Sequence, residues 1–508
     1  MYFFNWPGLK RNIFMIKSNY LISLILAFLI LDVFPAKAQS NVLRLTLHDA
    51  IEIATQQSPE AMMARHRYRG SYWQFRTYEA GFMPMLSLDA TLPELNRTIS
   101  PITQPDGSEA FRERRYMSSS MNLSLSKNIG LTGGQVFMNT NLQRIDLFAD
   151  STITSYLSTP LNIGFRQPLF AHNPFRWSRR IEPLRYNEAQ RRYIEDMEQV
   201  SITTINFFFD FLQAQIRNQI QQLNRANNDT LFQIAQGRFN MGTIAENELL
   251  QAELNFLNSE AALENSSLDL QNREFNLKSY LRLPDGIKIE LVPPYETSTV
   301  LIEPEHAVMQ ARNNRAAALG YERRLIESES EVNKARLDSR FNANLFAVYG
   351  LTQSADDLRN AYINPQDQQR VIIGLQVPIL DWGLAKGRIK MAESSQELVR
   401  TAVEQEQIDF DQEVNLKVRQ FNMQQSQLMI AARSDTVALK RYEVTVQRYR
   451  IGEIGIIELN LAQTEKDNAA LGYISALHSY WRNYYELRKL THFDFIQNRR
   501  IELDVSHE

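Results

Sequence analysis

The spacing of hydrophobic positions changes several times along this chain. From Leu45 to Gly81 they recur every three or four residues (TLHDAIEIATQQSPEAMMARHRYRGSYWQFRTYEAG), the period of a helix packed on one side. Thr46, with Asp49 three positions on, supplies a capping box at its start. From Pro84 the period falls to two, and MLSLDATL, MNLSLS, VFMNTNLQ and LNIGFR each predict a strand. GLTGG at 130–134 predicts a turn, and TISPITQPDGSEAFRERR at 98–115 a long polar loop. After Asn173-Pro174 the helical period returns. No Gly or Pro occurs from Leu184 to Gln236, nor between Gly242 and Pro284. Leu250, Leu254, Leu257, Ala261 and Leu268 follow a 4-3-4-7 spacing, as in a coiled-coil seam.

The second half repeats this order. A helix over 303–338 leads to alternating FNANLFAVYG, a polar stretch (TQSADDLRNAYINPQDQQR) and VIIGLQVPI. Then Arg388 to Ile451 runs without Gly or Pro, which as one helix would measure roughly 95 Å, too long for a compact domain. RFNMGTIAENEL at 238 and RYRIGEIGIIEL at 448 match in register at a separation of 210. Gly164/Gly374 and Pro168/Pro378 share that offset. AGFMPMLSL against ARLDSRFNA gives an offset of 255, so the first half carries about 45 extra residues of β character. Each doubled phrase falls between a very long helix and a returning one. Gly242 and Gly452 suit the left-handed position that ends a helix, which makes the phrases helical-hairpin tips.

Two strands show what the sheet faces. Val371, Ile373, Leu375 and Val377 lie opposite Gly374 and Gln376, and Leu161, Ile163 and Phe165 lie opposite Asn162, Gly164 and Arg166. Apolar-out, polar-in segments of about ten residues characterise outer-membrane barrels with a wet interior. Six strands are too few to close such a barrel, and open edges are not viable in lipid, so the barrel must be shared among copies in a ring.

Composition narrows the function. The 508 residues are 44% hydrophobic, so most of the chain orders, and a net charge of −3 gives no basis for a nucleic-acid partner. Cysteine is absent, which excludes disulfides, thiolate metal sites, thiol nucleophiles and an acylated N-terminal Cys. The seven His show no ligand spacing, and no nucleophile–base set or phosphate loop is present, so neither a metal, a cofactor nor an enzyme is expected. Lys17, the apolar run LISLILAFLILDVF and AKA at 36–38 form a secretory signal with the cut after Ala38, starting from Met1 or from Met15. The expected organisation is a signal peptide over 1–38, a first repeat over 39–290 and a second over 291–495. The first contains β-strands within 82–170 and a tip near 242; the second contains a β-hairpin over 340–378 and a tip near 452. A tail over 496–508 follows.

This layout resembles the TolC-like outer-membrane efflux proteins, the outer-membrane factors of tripartite export systems. The resemblance rests on LTLHDAIEIATQQSPE, AGFMPMLSLDA, PLF and PIL-DWG at the sheet exits, and RFNMG and RYRIG with an acidic residue six positions past Gly. It implies an α+β membrane protein with a two-fold internal repeat. Three copies would share an antiparallel β-barrel in the outer membrane above a long α-helical coiled-coil barrel in the periplasm. In that family two shorter helices stacked end to end match each long helix. Substrate would pass without chemistry from an inner-membrane pump through a periplasmic adaptor. The resemblance selects Gly242, Thr243, Ile244, Gly452, Glu453 and Ile454 as adaptor contacts, where Gly either only stops the helix or also admits a partner hairpin. It selects Glu248, Tyr449 and Glu458 for the periplasmic gate, where the two Glu either ring the lumen or sit on a solvated face. The chain departs from the family pattern at Ile454 and Leu461, where Arg and an acidic residue occur in relatives. It departs also in SMNLSLSKNIGLTGGQVFMNTNLQ, an added hairpin that either enlarges a barrel of four strands per subunit or folds outside it. A secreted coiled-coil scaffold without channel activity is the alternative class.

Overall fold

The structure, a computed structural model, describes residues 42–503 apart from 150 and 285; the signal segment and the last residues of the tail lie outside the described residues. Strand β1 (Val42–Leu45) leads into helix α1 (Leu47–Gln57). At the α1 start the Asp49 amide donates to the Thr46 hydroxyl (3.2 Å) and the Thr46 amide donates to the Asp49 carboxylate (3.1 Å), closing the expected capping box. The single helix expected over 45–80 is two. Pro59 has no N–H with which to continue α1, and the Ser58 hydroxyl instead accepts from the Ala61 amide to cap α2 (Pro59–Ala80). Helix 303–338 also divides, into α5 (Pro304–Asn314) and α6 (Ala316–Asp338), at an extended Arg315. There the Arg315 guanidinium lies over the Phe410 ring and reaches Glu413 (3.1 Å) and Glu195 (3.7 Å).

The two long hairpins are built alike. Helices α3 (Pro174–Asn240) and α7 (Leu384–Arg450) both have 67 residues, about 100 Å each, and α4 (Glu246–Leu281) and α8 (Ile456–Thr491) both have 36. Their starts are 210 residues apart, the offset read from the tip phrases. The first-half elements give a different number from the one expected. Leu47 and Pro304, Pro59 and Ala316, and the sheet entries Met85 and Asn342 are each separated by 257 rather than 255. A few matching letters around AGFMP could not fix that register; the helix caps do. Within the chain α3 packs against α4 and α8, and α8 against α7, so the layer runs α4–α3–α8–α7 with α4 and α7 on its flanks.

The main core is a belt across the middle of these helices, not a globular centre. Phe208, Phe209, Phe211 and Leu212 of α3 meet Leu277 and Leu281 of α4, Val414, Val418 and Phe421 of α7, and Leu477 and Tyr480 of α8. The short helices α1 and α5 and the parallel pair β1–β6 (β6, Lys288–Leu291) close over it. That strand pair carried no recognisable alternation, since each strand has only four residues.

Above the helices lies one six-stranded antiparallel sheet. Its strands are β2 (Met85–Thr103), β3 (Glu109–Ile129), β4 (Gly134–Phe148), β5 (Thr152–Leu169), β7 (Asn342–Ala355) and β8 (Gln366–Gln376), in that spatial order. The expected loop 98–115 is a correction: β2 and β3 pair through most of it, from Thr98↔Arg114 to Thr103↔Glu109. Polar strand pairs continue the ladder there, with Glu113 bonded to Arg97 and Arg115, and the turn narrows to 104–108 around Gly107 at φ 82°. The second polar stretch shrinks similarly to 356–365. The two short strands β9 (Phe493–Asp494) and β10 (Arg499–Arg500) follow α8.

Candidate functional site

The tips form because each long helix ends on a glycine in the left-handed region, Gly242 at φ 73° and Gly452 at φ 80°. In the first, the Gly242 amide donates to the Phe239 carbonyl (2.8 Å) and the Thr243 amide to the Arg238 carbonyl (3.0 Å). The second repeats this from Gly452 to Tyr449 (3.0 Å) and from Glu453 to Arg448 (3.0 Å). These are paired Schellman closures. A Cβ would meet nothing at either glycine, so conformation, not crowding, requires Gly.

The expected contact residues Gly242, Thr243, Gly452 and Glu453 are exposed, and Ile244 and Ile454 are half-buried. Thr243 spends its hydroxyl on the Arg238 carbonyl (2.9 Å), and Glu453 accepts from Arg448 (3.1 Å). Glu248 and Glu458 stand exposed in the first turns of α4 and α8, where the N-terminal helix dipole favours an acid. Tyr449 stands apart from these. It is 6% exposed and packs with Ile456 and Leu459 in a small tip core. Burial pushes its phenol above the ordinary value, against the opposing pull of Arg238.

Arg238 was not singled out from the sequence, yet it ties the two hairpins together. Its guanidinium donates to the last carbonyls of α7, at Tyr449 (3.4 Å) and Arg450 (3.2 Å), and lies over the Tyr449 ring (5.5 Å). Its repeat counterpart, Arg448, pairs only within its own tip. The doubled Arg in the two phrases was the available signal; the asymmetry needed coordinates.

Two apolar seams run up from the tips on the flanking helices. On α4, Leu250, Leu254, Leu257, Leu268 and Phe275 are each more than half exposed, so the seam read from the sequence faces away from α3. On α7, Leu416, Met423, Ile430, Val437 and Val444, with Ile451 just past its end, are also more than half exposed, at strict seven-residue intervals. Neither seam has a partner helix among the described residues.

The sheet separates its faces by chemistry. The register aligns Leu86, Leu125, Met138, Ile163 and Tyr349 in one row, and Phe165 with Ala347 and Val371, to give an apolar face that crosses all six strands. The opposite face carries Ser87, Asn122, Ser124, Asn139, Asn162 and Asn344, with Ser87–Ser124 (2.9 Å) and Asn139–Asn122 (3.1 Å) bonds across strands. The outer edges of β2 and β8 pair with no other strand among the described residues. Ile379, Leu380 and Trp382, at the exit toward α7, are strongly exposed, as suits side chains at a membrane interface. Among the described residues no helix is long and apolar enough to cross a membrane, and no His, Asp and Glu cluster could hold a metal ion.

Residues 50–281 match the model of the family described as outer membrane efflux protein. The match spans slightly under half of the chain. Its fold superposes on the outer membrane channel CmeC of Campylobacter jejuni with a TM-score of 0.64, covering 98% of this chain and 96% of that one at 16% identity. VceC of Vibrio cholerae gives 0.61, covering 90% and 97% at 14% identity. The open state of the MtrE outer membrane channel of Neisseria gonorrhoeae gives 0.53, covering 90% and 91% at 14% identity. No curated protein sequence matches. These similarities share the α+β fold of long helices beneath antiparallel strands. The matched family is one of outer membrane efflux proteins.

Proposed function

We propose that this chain forms the exit duct of a tripartite efflux or type I secretion system. Three copies share one barrel in the outer membrane and one helical tunnel in the periplasm. The observation that carries this is the sheet: one face is apolar across six strands, the other holds its amides, hydroxyls and charges, and both edges are unpaired among the described residues. In lipid such edges must be joined, and a ring of copies joins each β2 to the next copy's β8. The flanking helices support the same closure. The seams of α4 and α7 both begin at the tips and run antiparallel, so α4 of one copy meets α7 of the next. Each buried Leu there contributes about 1.5–3 kcal/mol.

Substrate moves passively, delivered by an inner-membrane pump through a periplasmic adaptor that docks at Gly242-Thr243-Ile244 and Gly452-Glu453-Ile454. Glu248 and Glu458 line the tip mouth, and Tyr449 holds its shape from within. Because the chain lacks Cys, Thr243→Cys or Glu453→Cys provides a single crosslinking site in intact cells. Capture of a periplasmic protein tethered to the inner membrane is expected. Tips that crosslink to nothing while the protein exports normally would contradict the docking assignment.

A further inference from the structure

The family resemblance implies four strands per subunit, but the β3–β4 hairpin is not an appendage here. It lies inside the sheet, between β2 and β5. One row of paired residues crosses all six strands: Met85, Ser126, Phe137, Gly164, Val348 and Arg370. Below that row β2 ends at once at Met85. β3 and β4 extend three residues further, to Ile129 and Gly134; β5 extends five, to Leu169; β7 and β8 extend six, to Asn342 and Gln376. The periplasmic ends therefore descend as one staircase, with β3 and β4 on its middle steps. A hairpin folded outside the wall would interrupt that descent.

If these ends mark one membrane plane, the strands drop about 20 Å over about 24 Å of sheet width, a tilt of about 40°. That tilt lies in the range of roughly 35–45° at which sheets close into barrels. The faces agree with the staircase. Leu123 and Met138 continue the apolar surface, and Ser124 and Asn139 the polar one, without a break from β2 to β5.

Resting on the trimeric-duct reading above, we infer that the assembled barrel has eighteen strands, three copies of a six-stranded sheet, in place of the twelve that four per subunit would give. At this tilt and spacing the backbone diameter is about 36 Å, against about 24 Å for twelve strands. The water-facing wall carries amides and hydroxyls (Ser124, Asn139, Asn162, Asn344) together with the charges of Asp89, Arg166 and Arg370 and the rings of Phe137 and Phe346. The exit is therefore a wide mouth that admits bulky cargo, and selection by size falls to the tips.

The test uses the full chain extracted from outer membranes into nanodiscs. Electron cryomicroscopy should count eighteen strands in one barrel. A trimer with twelve strands and the hairpin outside the wall would overturn this inference and leave the duct intact. A protein that is neither trimeric nor membrane-embedded would overturn both. A second measurement reports on the hairpin directly. Bimane on Leu123→Cys or Met138→Cys should be quenched by brominated lipid chains, and on Ser124→Cys or Asn139→Cys by iodide instead. Quenching of all four by iodide alone would overturn the inference.

Discussion

At the residue scale the tips concentrate conformation and charge in few side chains. Gly242 and Gly452 sit at positive φ with open space around them, so Gly452→Val costs only backbone strain, about 1–2 kcal/mol. The expected result is roughly 5–30-fold faster amide exchange at Glu453, with the middle of α7 unchanged, read by hydrogen-exchange mass spectrometry. Arg238 caps the carbonyl end of α7 across the repeat boundary. Arg238→Ala should loosen the tip and raise single-channel conductance, and unchanged conductance would exclude a latch role. Glu458 is exposed in the first turn of α8, and three copies facing a lumen would favour cations. Glu458→Ala should lower cation selectivity and weaken block by multivalent cations in bilayer recordings. The glycines and acids were legible because repeats expose shared positions. The burial of Tyr449 and the crossing reach of Arg238 were not, because both depend on how two hairpins 210 residues apart lie together.

At the element scale, periodicity identified the long helices and all six strands, while local breaks decided their ends. The 4-3-4-7 spacing on α4 announced a seam but not its partner. Pattern alone cannot tell a contact within the chain from one between chains. The exposure of that seam, with its counterpart on α7, shows that no described part of the chain covers either. Leu257→Asp should therefore disrupt assembly more than folding: helical circular dichroism is expected to hold, with the trimer lost on size exclusion. Paired Leu257→Cys and Val437→Cys should crosslink into covalent trimers. The divided helices at Ser58 and Arg315 show the opposite limit. Pro59 was readable as a break, whereas nothing in RNNRAAAL marks Arg315, which is held extended by Glu195, Glu413 and the Phe410 ring. The strands 98–103 and 109–115 looked like loop because Pro101 and a run of charges interrupt the alternation; Glu113 accepts from Arg97 across the ladder and from Arg115 on its own strand.

At the scale of the whole molecule, the fold consists of two copies of one plan sharing a sheet above and a helical layer below. The described residues of a single chain leave three kinds of surface unfinished: two strand edges, two helical seams and one apolar sheet face. In the proposed duct, lipid and identical neighbours complete all of them together. The most direct measurement is the mass and extraction behaviour of the protein from cells. Light scattering on material released from outer membranes should give three copies, released by detergent and not by high salt or carbonate. A monomer recovered in the salt wash, without detergent, would contradict the shared-barrel duct outright.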